Sequence, residues 1–257
     1  DYIGIQEKPM QQYFVFGNPD SGTVEITDKD TLKHMFRVMR LHTGDEAVLV
    51  FPDGIKRLAA VEDVESGTMR IIEELDENVE LPVDVTVACG FPKGDKFRFI
   101  AQKATELGAS AIWGFPAERS IVKWDAKKLT GLKEKLDKVV QGAAEQSKRN
   151  LIPEIDFVER SKELVDSFAD FDRVFVAYEE SAKAGEKSAL AAALGEVSEG
   201  DRLLFIFGPE GGITGREIEQ FTEAGAVCVG LGPRIMRAET APLYALSSVS
   251  YALELSR

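Results

Sequence analysis

The sequence predicts an α/β protein in two parts: a small β-barrel domain over residues 10–80, then a larger domain over 81–257 built on a mostly parallel sheet. Three observations carry that reading. The chain has 257 residues, which at roughly 150 residues per domain allows one or two. Its first 80 residues hold short strand-like runs, one helical stretch and a tight hairpin turn. After an acidic stretch at 76–80 the pattern changes to near-continuous apolar runs alternating with helical ones, as in a parallel sheet covered on both faces.

Taken in order, residues 1–9 ahead of Met10 are an extension or an expression remnant. Residues 11–16 read as a strand, and 28–40 as a helix capped by Asp28 or Asp30. In that helix Lys33, Arg37 and Arg40 recur at four and three, which predicts one face, while Leu32, Met35, Phe36 and Met39 take the other. Strands at 46–51 and 56–61 flank Pro52-Asp53-Gly54, a hairpin turn, and 69–74 is the next strand. Beyond residue 80, strands are expected at 83–90, 110–115, 173–178, 202–207 and 226–231. Helices are expected at 96–107 (closed by Gly108), 131–148, 214–224 (closed by Gly225), and from about Pro242 onward. Thr214 and Glu217 spell a capping box.

Composition narrows the class. No run approaches 18 apolar residues and residues 1–20 lack a basic segment followed by an apolar one, so neither a membrane span nor a signal peptide is expected, and a cytoplasmic location is. Cys89 and Cys228 each fall in an apolar run, unlike a disulfide framework. With two histidines and no CxxC or HExxH, no metal site is expected. P-loop, G-x-S-x-G and dinucleotide fingerprints are all missing. The formal charge of −13 argues against a polyanion partner. Its distribution argues otherwise: residues 1–80 and 151–257 each carry −9, whereas 81–150 carry +5. The plainer alternative is that Lys127, Lys128, Lys133, Lys135 and Lys138 only solvate a surface helix.

Two glycine-bearing segments follow apolar strands, where α/β sheets bind ligands. One is Gly208-Pro209-Glu210-Gly211-Gly212-Ile213-Thr214. The other runs from Gly230 through Arg234, Arg237 and Glu239 to Ala241. Each alone reads equally as a tight turn; together they favour a ligand site.

Those two segments closely resemble the SPOUT-superfamily 16S ribosomal RNA uridine N3-methyltransferases. So do Phe91–Gly94 with residues 102–108, Glu118-Arg119-Ser120, residues 145–150, residues 12–15 and residues 34–45. The match spans nearly the whole chain from Met10, and departs in carrying Met236 and Ala238 where the family often has other small or aliphatic residues. The resemblance implies an N-terminal PUA-like β-barrel, and a C-terminal SPOUT-type α/β domain with a deep trefoil knot that packs as a homodimer. It implies S-adenosyl-L-methionine as cofactor, surrounded by Gly208, Gly211, Gly212, Leu231, Gly232, Ile235, Met236 and Ala241, with Tyr178 as a weaker addition. The partner implied is 16S ribosomal RNA or the small ribosomal subunit, with neither membrane nor metal.

For such a reaction the sequence nominates Arg237 to stabilise charge on the uracil carbonyls and Glu239 to accept the N3 proton. The alternative for Arg237 is a salt bridge to Glu239 that fixes the loop. Phosphate contacts are expected from Lys33, Arg37, Arg40, Lys93, Lys96, Arg119, Arg149 and Arg234, with Arg98, Lys103, Lys123 and Lys148 behind them. Two rivals stay open: a methyltransferase of the same superfamily acting on tRNA or 23S rRNA, and a non-catalytic RNA-binding assembly factor.

Overall fold

The computed structural model describes residues 10–122, 125–178 and 189–256. Lys123 and residues 1–9 lie outside them. Contacts divide the chain into two units. One runs to Val79 and adds Ala144–Leu151; the other holds Glu80–Ala143 and the chain from Ile152.

The first unit is a five-stranded sheet in the order β1-β3-β4-β5-β2. Its strands are β1 (Gln12–Phe14), β2 (Thr23–Glu25), β3 (Glu46–Val50), β4 (Lys56–Asp63) and β5 (Thr68–Leu75). β1 pairs with β3 in parallel and the other ladders are antiparallel. Pro52-Asp53-Gly54 makes the β3–β4 turn: Gly54 stands at φ +75° and its N–H reaches the Phe51 carbonyl at 2.9 Å. Ala47, Leu49, Ala59, Val61 and Met69 alternate into a core closed by Tyr13, Ile26 and Met35. Strand β2 was not expected from sequence, because three residues with a single buried Val24 carry no legible period.

Helix α1 (Lys29–Lys33) is capped by Asp28, whose carboxylate accepts from the Thr31 N–H at 2.7 Å. It runs into a π turn, His34–Val38. The wider turn breaks the expected register: Lys33 and Arg37 are exposed, but Arg40 lies beyond the helix at φ +57°. Three basic residues on one face of one helix is therefore corrected to two.

The expected boundary after residue 80 nearly coincides with this division, which differs in grouping Ala144–Leu151 with the first unit. Helix α3 (Ala126–Gln146) keeps an uninterrupted apolar period, yet its end and the residues after it group with the first unit. There Glu145 accepts from the Phe14 N–H at 3.3 Å, and Gln12 donates to the Arg149 carbonyl at 2.7 Å. Buried Asn150 donates to the Gly54 and Glu77 carbonyls at 2.9 and 2.8 Å and accepts from the Val79 N–H at 3.1 Å.

The second unit is a six-stranded, wholly parallel sheet in the order β11-β9-β10-β6-β7-β8. The strands are β6 (Asp84–Gly90), β7 (Ala111–Phe115), β8 (Glu154–Phe157), β9 (Arg173–Ala177), β10 (Arg202–Phe207) and β11 (Val227–Val229). With α3, the helices are α2 (Lys96–Glu106), α4 (Ser161–Asp166), α5 (Ala189–Gly195), α6 (Gly215–Glu223) and α7 (Ala241–Ser250). Side chains of β10 split between two cores, Leu203, Phe205 and Phe207 into one and Leu204 and Ile206 into the other. Both faces are thus covered, which is why the strand reads as an unbroken apolar run. The chain builds β6, β7 and β8 outward, then returns to place β9, β10 and β11 on the other side of β6. That reversal of order opens a crevice at the carboxyl ends of the strands.

Candidate active site

The loop after β10 requires its glycines. A Cβ on Gly208 would lie 2.8 Å from the Gly212 carbonyl carbon, and Gly212 itself stands at φ +73°. Only glycine meets both demands without strain. The loop ends in the capping box: Thr214 Oγ1 accepts from the Glu217 N–H at 3.2 Å, and the Glu217 carboxylate accepts from the Thr214 N–H at 2.9 Å. Buried Glu217 also accepts from the Glu118 N–H at 2.8 Å, Arg216 pairs with Glu118 at 2.6 Å, and Arg119 donates to the Gly211 carbonyl at 2.9 Å. Residues 118 and 119 thus brace the glycine loop.

The loop after β11 passes Gly232 at φ +90° and turns back at Arg237, whose carbonyl accepts from the N–H groups of Thr240 and Ala241 at 2.9 and 3.1 Å. Between the two loops lies a cavity of about 600 Å³. It is lined by Tyr178, Gly208, Gly211, Gly212, Leu231, Gly232, Ile235, Met236 and Ala241, so the residues nominated for a cofactor share one space. Arg119, Arg234, Arg237 and Lys96 line it too. A second depression of about 630 Å³ lies at the amino ends of β9 and β11 and holds none of the nominated residues. A parallel sheet presents its ligand crevice at the opposite edge, which makes the first cavity the candidate site.

Charge at the cavity is organised by Lys96. Its ammonium is 3.0 Å from Glu210 Oε1 and 3.1 Å from Glu239 Oε2, and Glu210 Oε1 also accepts from the Lys93 N–H at 3.1 Å. The carboxylates of Glu210 first and then Glu239, both at ion-pair distance, raise the Lys96 pKa. Burial pulls Glu239 upward, but a backbone hydrogen bond at Glu239, the bond to Lys96 and the charges of Lys96 and Arg237 outweigh it and hold the carboxyl below the usual glutamate range. Glu210 is held low in the same way: burial raises it, and hydrogen bonds from its own backbone, Lys93 and Lys96 prevail. Arg234 and Arg237 are exposed and have no ion-pair partner among the described residues.

Several nominated phosphate contacts stand differently from expectation. Arg149 is only 3% exposed, which withdraws its guanidinium from a polyanion in solution. Lys96 is neutralised by two carboxylates, Lys103 pairs with Glu106 at 2.9 Å, and Lys148 donates to the Met10 carbonyl at 2.6 Å. Lys33, Arg37, Arg40, Lys93, Arg119 and Arg234 remain exposed. Sequence reasoning did not find Glu210 as the partner of Lys96; the one signal was a charged residue inside a glycine loop. Among the described residues no group of three or more His, Cys, Asp or Glu is arranged to hold a metal.

A parallel sheet with two glycine loops at its carboxyl edge, walling a half-apolar cavity rimmed by arginines, defines an α/β enzyme that takes a cofactor-sized ligand. The chain belongs to the RNA methyltransferase family, matching the RNA methyltransferase domain over residues 79–250 and the RNA methyltransferase PUA domain over 26–74. It is 44% identical to the Ribosomal RNA small subunit methyltransferase E of Bacillus subtilis (strain 168), over 96% of this chain and 99% of that one. Among solved structures it resembles the Neisseria gonorrhoeae Ribosomal RNA small subunit methyltransferase E bound to S-adenosyl methionine, with 28% identity and a TM-score of 0.80 over 94% of this chain and 97% of that one. It also resembles a putative methyltransferase from Legionella pneumophila in complex with the bound cofactor SAM, with 27% identity and a TM-score of 0.82 over 95% and 98%.

Proposed function

We propose that the protein methylates N3 of a specific uridine in 16S ribosomal RNA, using S-adenosylmethionine. The observation that carries this is the single cavity in which both glycine loops, Tyr178 and Arg237 meet, in a chain that aligns end to end with a Ribosomal RNA small subunit methyltransferase E. The cavity fits the cofactor. Its volume is in the range of small-molecule sites, Leu231, Ile235 and Met236 offer apolar surface, and the glycine loops leave backbone groups open to a polar ligand. In the family these loops form the trefoil-knotted core.

When bound, the cofactor supplies a methyl group already activated by a sulfonium. The chain must orient the uracil and favour loss of the N3 proton. Arg237, at the cavity and without an ion-pair partner among the described residues, would stabilise the negative charge that spreads onto the uracil carbonyls. Glu239 is held ionised, so it accepts a proton rather than donating one. Its lowered basicity leaves much of the work to the cation.

Exposed Lys33 and Arg37 on α1 and its π turn, Arg40 just beyond, and Lys93 and Arg234 in the second unit supply phosphate contacts. Ile235, Tyr251 and Leu255, exposed at 79%, 65% and 74%, support a homodimer that covers them. Light scattering on the purified protein checks this: a monomer at micromolar concentration overturns it. No helix among the described residues is long and apolar enough to cross a membrane; the proposed action on ribosomal RNA supports the reading of a cytoplasmic protein.

The deciding experiment incubates protein and S-adenosylmethionine with small-subunit RNA and with assembled subunits, then maps methyl groups by mass. One methylated uridine in 16S RNA is expected. Methyl on tRNA or 23S RNA instead overturns the substrate, and cofactor binding without any transfer overturns the enzyme reading.

A further inference from the structure

We propose that Lys96 is a positioning residue: its ammonium ties the loop after β10 to the loop after β11 and, by taking Glu239 as its partner, leaves Arg237 at the cavity with no ion-pair partner among the described residues. The tie is read from geometry alone; its consequence for catalysis rests on the methyltransferase reading above.

Three separate segments converge on one nitrogen. Lys96 opens α2, Glu210 belongs to the glycine loop and Glu239 to the arginine loop, at 3.0 and 3.1 Å from Nζ. The Lys93 N–H also donates to Glu210 Oε1, at 3.1 Å. Lys96 and Glu210 side chains are each 28% exposed and Glu239 19%, so the pairs are partly shielded from water, where ion pairs are worth more than on an open surface. Glu118 and Arg119 brace the glycine loop, whereas Lys96 pairs with both loops.

The alternative role is the one the sequence implied, a phosphate contact. The two make opposite predictions for Lys96→Met. If Lys96 ties the loops, amide hydrogen exchange in the free protein accelerates in both 208–213 and 234–240, and S-adenosylmethionine affinity measured by calorimetry weakens about tenfold. Lys96→Arg keeps both pairs and restores most of that loss. Glu210→Gln cuts one pair, so it speeds exchange on its own and adds little to Lys96→Met, a non-additivity that independent residues do not show. Exchange unchanged in both loops, or faster in only one, overturns the tie. So does unchanged cofactor affinity with an RNA salt slope flattened by about one charge. If the unmutated protein binds no S-adenosylmethionine, the methyltransferase reading falls while the exchange data still decide the role of Lys96.

Discussion

Arg237 and Glu239 are two residues apart, and a sequence cannot say whether they neutralise each other. Here Glu239 is taken by Lys96, 3.1 Å away, which leaves Arg237 without an ion-pair partner among the described residues. Arg237→Ala is therefore expected to lower kcat by at least about 10²-fold while the melting temperature and cofactor affinity stay near those of the unmutated protein; retained turnover in a methyl-transfer assay sinks the assignment. The trio also has a pH signature. Glu210 and Glu239 are held below the ordinary glutamate value of 4.5, so they stabilise the loops above that value, and the stabilisation is lost as pH falls through their lower folded values. Lys96 is held above the ordinary lysine value of 10.5, so its share is present below 10.5 and lost as pH rises through its raised value. Elsewhere, burial lifts the Cys89 thiol to about 12. Ellman's reagent near neutral pH should modify half-buried Cys228 first and reach Cys89 only on unfolding; fast reaction of both thiols contradicts the burial.

Turns and caps were the most legible features, because their chemistry is local. Pro52-Asp53-Gly54, the Asp28 cap and the Thr214–Glu217 box all act as their residue types dictate. Thr214→Ala is expected to cost about 1 kcal/mol through the lost cap, read as a lower denaturation midpoint, and to loosen the adjoining glycine loop. The parallel strands were legible too, since burial on both faces makes a continuous apolar run. What escaped were features set by distant partners. Arg149 and Asn150 look like a basic, polar end to a surface helix, but their place is decided by β1, the β3–β4 turn and residues 77–79. Asn150→Ala orphans two carbonyls and one N–H. It should destabilise the first unit by about 2–3 kcal/mol, visible as an early transition in urea by the exchange of its amides. The π turn after α1 is similar: helical spacing assumes 3.6 residues per turn, and one wide turn moves Arg40 off the face that arithmetic gave it.

An acidic chain that handles RNA must concentrate its positive charge, and pairing decides how much of that charge is available. Of 31 Lys and Arg, many are spent internally: Lys56 on Glu77, Arg57 on Asp53 and Glu74, Lys96 on Glu210 and Glu239, Lys103 on Glu106. Of the cations nominated for RNA or catalysis, eight are exposed and without an ion-pair partner among the described residues; setting aside Arg119, held on the Gly211 carbonyl, and Arg98, which stood behind the main set, leaves six. Lys33, Arg37 and Arg40 belong to the first unit; Lys93, Arg234 and Arg237 belong to the second. If each neutralises one phosphate of single-stranded RNA, the slope of log K against log salt is about −4. That is shallow for a nucleic-acid protein, and repulsion from the acidic remainder should keep binding to unrelated RNA weak. Removing Lys33 and Arg37 together should flatten the slope by about 1.4 and weaken all RNA sequences alike, because phosphate contacts carry no sequence information. Fluorescence anisotropy of a small-subunit RNA fragment over roughly 50–200 mM salt measures both quantities. An unchanged slope in the double variant would show that the first unit's basic residues do not touch phosphate. A slope much steeper than −4 in the unmutated protein would mean that lysines outside these six, such as those of α3, carry the contact.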